Sequence, residues 1–145
     1  MRKVVLQEFV SLDGQVAGPN DSVDFIPAST RSDPSFGQEQ VVLIGTTDTL
    51  LLGRVTYWMF AGFWPNVTES AEKEFAEKFS ISLAQSLIDQ RLVDEYRLVI
   101  CPIVLGTGRP LVRGKVGPIQ MQLVNAKALD CGAGSLIYSQ PDAAG

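Results

Sequence analysis

Apolar and polar positions divide the chain into short elements. Residues 3–12 read as a first strand, with Val4, Leu6 and Glu8 facing one way and Val5, Gln7 and Phe9 the other. Asp13-Gly14 and Gly18-Pro19-Asn20 are turn signals. The Asp-Gly pair fits either a hairpin or a loop over the sheet edge, because the flank Gln15-Val16-Ala17 is short and small. Residues 21–35 are polar and carry Pro27 and Pro34, which predicts an exposed loop over a site, anchored by Phe25 and Ile26. Residues 36–47 have helical tendencies that fray near Gly45.

The centre of the chain follows a different rhythm. Residues 49–52 form a short apolar run, which fits a strand buried on both faces. Gly53 breaks it, and Arg54, Thr56, Tyr57 and Trp58 open a helix. Residues 68–92 contain neither Gly nor Pro, and Ala71, Phe75, Phe79, Leu83 and Leu87 repeat every four positions. That spacing predicts one long amphipathic helix, or two that meet near Ser80. Residues 94–102 read as a strand, followed by a Gly-rich loop at Gly106-Thr107-Gly108-Arg109. Residues 119–128 and 134–140 are β-like runs around a turn, which predicts an antiparallel hairpin at the end of the chain.

Composition narrows the function. A chain of 145 residues with 46% hydrophobic and 19% charged residues predicts one domain, residues 1–145, with a substantial core. No apolar run is long enough to span a bilayer, and residues 1–10 lack a signal-peptide core, which predicts a cytoplasmic protein with no membrane partner. A net charge of −4 argues against nucleic acid as a partner. There are 2 cysteines, too few for a disulfide framework. The chain has no histidine, which excludes histidine-dependent triads and histidine metal sites. No metal site is expected. Chemistry is left to carboxylates, a cofactor or backbone dipoles.

Two places carry candidate chemistry. The turn after residues 49–52 joins an N-terminal helix end to Gly53, Arg54 and Thr56, a combination suited to phosphate. The alternative, which such turns in any α/β domain favour, is an ordinary strand–turn–helix with a surface arginine. Asp13 is the one carboxylate at the end of a predicted buried strand, and its alternative is an Asx-turn capping its own loop. Arg109 either meets a substrate phosphate or faces water.

Three stretches together resemble a known family: SLDGQVAGP at 11–19, LLGRVTY at 51–57 and VDEYRLVICPIVLGTGRPLV at 93–112. They are similar to the dihydrofolate-reductase-like proteins, and most to the reductase domain at the C-terminus of bifunctional riboflavin-biosynthesis enzymes, the RibD C-terminal type. The resemblance implies an α/β fold: a mostly parallel sheet flanked by helices with a C-terminal antiparallel hairpin. It also implies an NADPH-dependent oxidoreductase that transfers hydride to a small heterocyclic or pterin-like substrate. Gly53, Arg54 and Thr56 would then lie against the NADPH phosphates. Ala17 would border the cofactor, and Asp13 and Gly14 the substrate, with Asp13 as the catalytic candidate.

The chain also departs from that family. Members carry two further strands and a helix between the segments that here meet at Phe79-Ser80-Ile81, so roughly forty residues are absent against the usual size of such a domain. The absent segment takes part of the cofactor cleft with it. The remaining strands must re-pair or exchange with a second copy, which makes a homodimer the expected assembly. The alternative function is a non-catalytic dimeric remnant that acts as a structural or binding protein.

Overall fold

The computed structural model describes residues 2–30, 33–49, 81–114 and 116–141, with the side chains of 44, 81 and 82 outside the description. Residues 50–52 of the expected strand, the Gly53–Trp58 turn and helix, and residues 68–80, on which the choice between one helix and two turns, lie outside the described residues.

A four-stranded sheet organises what is described, in the order β1-β3-β6-β5. β1 (Val5–Ser11) and β3 (Glu95–Cys101) are parallel and pair without a break, from Val5 with Glu95 to Ser11 with Cys101. Both strands are rich in β-branched and aromatic residues, the types that fit a pleated surface buried on both sides. β6 (Gly134–Ser139) runs antiparallel to β3, and β5 (Gln122–Ala128) runs antiparallel to β6. The expected C-terminal hairpin is present, and its turn uses Gly132 at φ +86°.

β2 (Gln15–Ala17) decides between the two readings of Asp13-Gly14. It does not fold back on β1; it pairs antiparallel with β4 (Arg109–Pro110), across more than ninety residues of chain. The segment is a loop over the sheet edge, and Gly14 makes its turn at φ +81°.

The exposed loop expected at residues 21–35 is partly helical. A 3₁₀ turn at Pro19–Asp21 leads to α1 (Phe25–Thr30), followed by α2 (Pro34–Gly45). Val23 and Phe25 are buried, so the segment has apolar anchors that hold it to the domain. Pro27 sits in the first turn of α1, where no N–H is required by the helix. Asp33 caps α2 by accepting the N–H of Ser35 at 2.8 Å, and Pro34 follows at the first helical position.

α3 (Ile81–Asp89) covers one face of the sheet. Its Ala84 and Ile88 pack with Leu6, Val10, Val93 and Tyr96 in the main core. The helix ends with Arg91 at φ +55°, while Leu92 N–H donates to Leu87 O and Arg91 N–H to Ile88 O, both at 2.9 Å. That is the double bond of a Schellman end, with arginine where glycine is usual. α2 covers the opposite face, where Val99, Leu129 and Ala133 pack with Phe9 and Phe36 in a smaller cluster.

Candidate active site

Parallel pairing places the carboxyl ends of β1 and β3 side by side. In open α/β sheets, ligands bind beyond such ends. Both strands continue into glycine-bearing loops, residues 12–18 after β1 and 102–108 after β3. Leu12 N–H donates to Ile103 O at 2.8 Å, and Leu111 N–H donates to Gly14 O at 3.0 Å.

Asp13 joins the two loops. Its Oδ1 accepts the Ser11 hydroxyl at 2.6 Å and the Leu105 N–H at 3.0 Å; its Oδ2 accepts the Gly106 N–H at 2.8 Å. These donors, the Ser11 hydroxyl first, lower its pKa to about 2. At neutral pH the carboxylate is ionised and has no proton to give. What it does is fix the Gly-rich loop against the end of β1. Ser11 is itself fully buried and its Oγ accepts the Gln15 N–H at 2.9 Å, so the clamp extends to β2.

Gly14 leaves open space where a side chain would stand, so the loop presents bare backbone at the turn. Ala17 is fully buried, with no exposed surface; it contributes the shape of a wall and no contact area of its own. Its carbonyl oxygen would lie 2.1 Å from a Cβ placed on Gly108, so only glycine permits this crossing of the two loops.

Between them the loops leave a shallow, open cleft of about 410 Å³. Residues 18–21 form one wall and 107–110 the other. Arg109 reaches across to Asp21, Nη2 to Oδ2 at 2.7 Å. The wall after β3 is braced from below by Gln85 on α3. Gln85 is buried; its amide donates to Pro110 O at 2.7 Å and its oxygen accepts Arg113 Nε at 2.6 Å.

Asp13 and Gly14 are thus brought together with the Gly-rich loop. Gly53, Arg54 and Thr56 lie outside the described residues. Two features escape the sequence reading. The partner of Arg109 is 88 residues away, and no local signal marks Asp21. Glu8 shares a face of β1 with Leu6 and Val10, has no hydrogen-bond or ion-pair partner among the described residues, and is pushed up to about 7 by burial. The alternation of β1 places Glu8 on that face, but only packing shows that it is half-buried there.

Among the described residues no helix is long and apolar enough to cross a membrane, and no cluster of acidic or sulfur ligands is arranged to hold a metal ion.

The sequence model of the RibD C-terminal domain matches residues 78–134. The uncharacterized protein YyaP of Bacillus subtilis (strain 168) is 26% identical over 183 aligned residues, covering 94% of each chain. That alignment exceeds the 145 residues of this chain by 38, so at least that many of its positions have no counterpart here. The crystal structure of a "putative riboflavin biosynthesis protein" from Shewanella sp. PV-4 superposes with a TM-score of 0.70 at 18% identity, covering 97% of this chain and 99% of that one. Two crystal forms of Acinetobacter baumannii RibD superpose with TM-scores of 0.57 and 0.59 at 13% identity. This chain spans 58% and 59% of their length.

Proposed function

We propose that this chain, which shares the fold of riboflavin-biosynthesis proteins and matches the RibD C-terminal domain model over residues 78–134, is a dihydrofolate-reductase-like, NADPH-dependent reductase acting on a small heterocyclic or pterin-like molecule. The observation that carries the reading is the clamped pair of loops at the carboxyl ends of β1 and β3, with a cleft between them. Two features support the reading: open space beside the backbone of Gly14, and the open cleft between residues 18–21 and 107–110.

In this reading Gly53, Arg54 and Thr56 hold the cofactor phosphates, the arginine through its planar fork of donors. When bound, NADPH supplies hydride for reduction of a C=N or C=O bond. Asp13 acts as a positioning residue, holding Leu105 and Gly106 so that the substrate side of the cleft keeps its shape. The protein's part is orientation more than proton chemistry.

A calorimetric titration of the purified chain with NADPH tests this. Saturable binding that weakens at least tenfold in Arg54→Ala is expected. No detectable heat at millimolar cofactor from a folded chain would sink the proposal.

A second reading is favoured by one observation. Among the described strands β5 lies at the sheet edge and is exposed along its whole length, with Leu123 50% and Val124 59% exposed. An exposed apolar edge is a template for pairing with a second copy. The non-catalytic dimer reading therefore predicts a concentration-dependent mass in analytical ultracentrifugation, shifted to monomer by Val124→Lys. A monomer at every concentration contradicts it.

A further inference from the structure

The cleft holds an ion pair that does little for the fold. Arg109 and Asp21 keep 39% and 54% of their side-chain surface in water, and pairs this exposed contribute little to stability. Asp21 is nevertheless held in place by an uncommon backbone. It stands at φ +60°, directly after Asn20 at φ +58°, a left-handed conformation that non-glycine residues rarely adopt.

The two partners are rooted differently. Arg109 belongs to β4, paired with Ala17, and Gln85 fixes the next residue through Pro110 O. Asp21 ends a short 3₁₀ turn. Arg109 lines the cleft and only its Nη2 is used by Asp21; its other donors have no partner among the described residues. Among the described residues no other charged side chain lines either wall.

We propose that Arg109 is the anion-binding group of this cleft and that Asp21 occupies it in the free chain, in the place taken by the phosphate or carboxylate group of a small-molecule ligand. Binding is an exchange: the ligand's anionic group replaces Asp21 on the guanidinium, and Asp21 turns to water. Asp21 lowers the affinity for any anion by competing for the same donors, and it excludes neutral molecules from displacing it. The proposal rests on this cleft being the ligand site of the proposed function, but not on hydride transfer.

The test uses the full chain and two probes, inorganic phosphate and formate, followed by the amide resonances of residues 18–21 and 107–110 and the Nε–H resonance of Arg109. Asp21→Asn is expected to bind at least one probe about five-fold more tightly than the parent, the factor set by an exposed ion pair. Asp21→Ala should behave in the same way, which separates loss of charge from a new amide contact. Arg109→Gln is expected to lose the response while melting at the parent temperature. Preference for phosphate assigns a phosphorylated ligand and preference for formate a carboxylated one. Equal affinity in the parent and both Asp21 variants overturns the proposal, as does an unchanged response in Arg109→Gln, which would mean an adventitious ion only. NADPH binding and its dependence on Arg54 are read separately. A chain that ignores NADPH but binds phosphate through Arg109 contradicts the reductase reading and leaves the exchange intact.

Discussion

The two faces of the sheet are built on opposite terms. On the α3 side the contact is apolar: Leu6, Val10, Ala84, Ile88 and Tyr96 exclude water, and Ile88 is 1% exposed. On the α2 side helix and sheet are joined mainly by polar side chains. Gln7 donates to Gln40 at 2.6 Å, and Arg97 donates to Leu43 O and Thr46 Oγ1 at 2.8 and 2.7 Å. Glu39 accepts Lys127 Nζ at 2.8 Å and the Ser135 hydroxyl at 3.0 Å. Asp33 accepts the Cys131 N–H at 2.9 Å. Apolar burial is non-directional and supplies most of the stability. Hydrogen bonds add little each but demand one geometry. The α3 face therefore holds the sheet together, and the α2 face fixes where helix and hairpin sit on it.

Substitutions on each face sharpen this contrast. Ile88→Ala is expected to cost about 2–5 kcal/mol, the range for truncating a well-packed core side chain, measured as a drop in urea midpoint at constant slope. A loss well below that range would place the core elsewhere.

Glu8 is the flaw in the apolar face. Its carboxyl is raised from 4.5 in the unfolded chain to about 7 in the folded one, so folding favours its protonated form. Stability contributed by that form is complete below about pH 4.5, falls as pH rises, and is lost once pH passes about 7. The difference corresponds to roughly 3 kcal/mol. Glu8→Gln should match the parent below pH 4.5 and be more stable above pH 7 by up to this amount. Parallel stability curves from pH 4 to 8 would show that Glu8 is solvated.

The polar face should respond less and with the opposite sign. Lys127 first, then the Ser135 hydroxyl, lower the pKa of Glu39, so its contribution is present above the ordinary carboxylate range and lost as pH falls through its lowered value. Glu39→Ala leaves Ser135 without its acceptor and is expected to cost about 1–3 kcal/mol at neutral pH. It should also loosen α2 more than β1–β3, which amide exchange would resolve. The smallest effect is expected at the end of α3. Arg91→Gly relieves a left-handed arginine and should raise stability by about 1 kcal/mol, read from the melting temperature.

Much of this was legible in the sequence, and the parts that were not share a cause. β1, α2, β3 and the terminal hairpin were each announced by local pattern, because their periodicity and turn residues act over a few positions. α1 was missed because Pro27 and the polar flanks outweighed two anchors, Val23 and Phe25, whose partners are distant. β2 could not be assigned locally, since its partner β4 lies some ninety residues on. Asp13 was visible as a carboxylate at a strand end. Its work as a clamp required knowing that Leu105 and Gly106 come to it. The same holds for Arg109 and Asp21.

The central claim is that the two loops at the carboxyl ends of β1 and β3 form one ligand-binding unit held by Asp13. Hydrogen–deuterium exchange of residues 102–110 tests it most directly, in the parent and in Asp13→Asn, with and without NADPH. The account predicts slow exchange at Leu105 and Gly106 in the parent, slower still with NADPH, and fast exchange in Asp13→Asn with the β1 and β3 amides unchanged. Exchange at those two amides that is indifferent to both the substitution and the cofactor would contradict it.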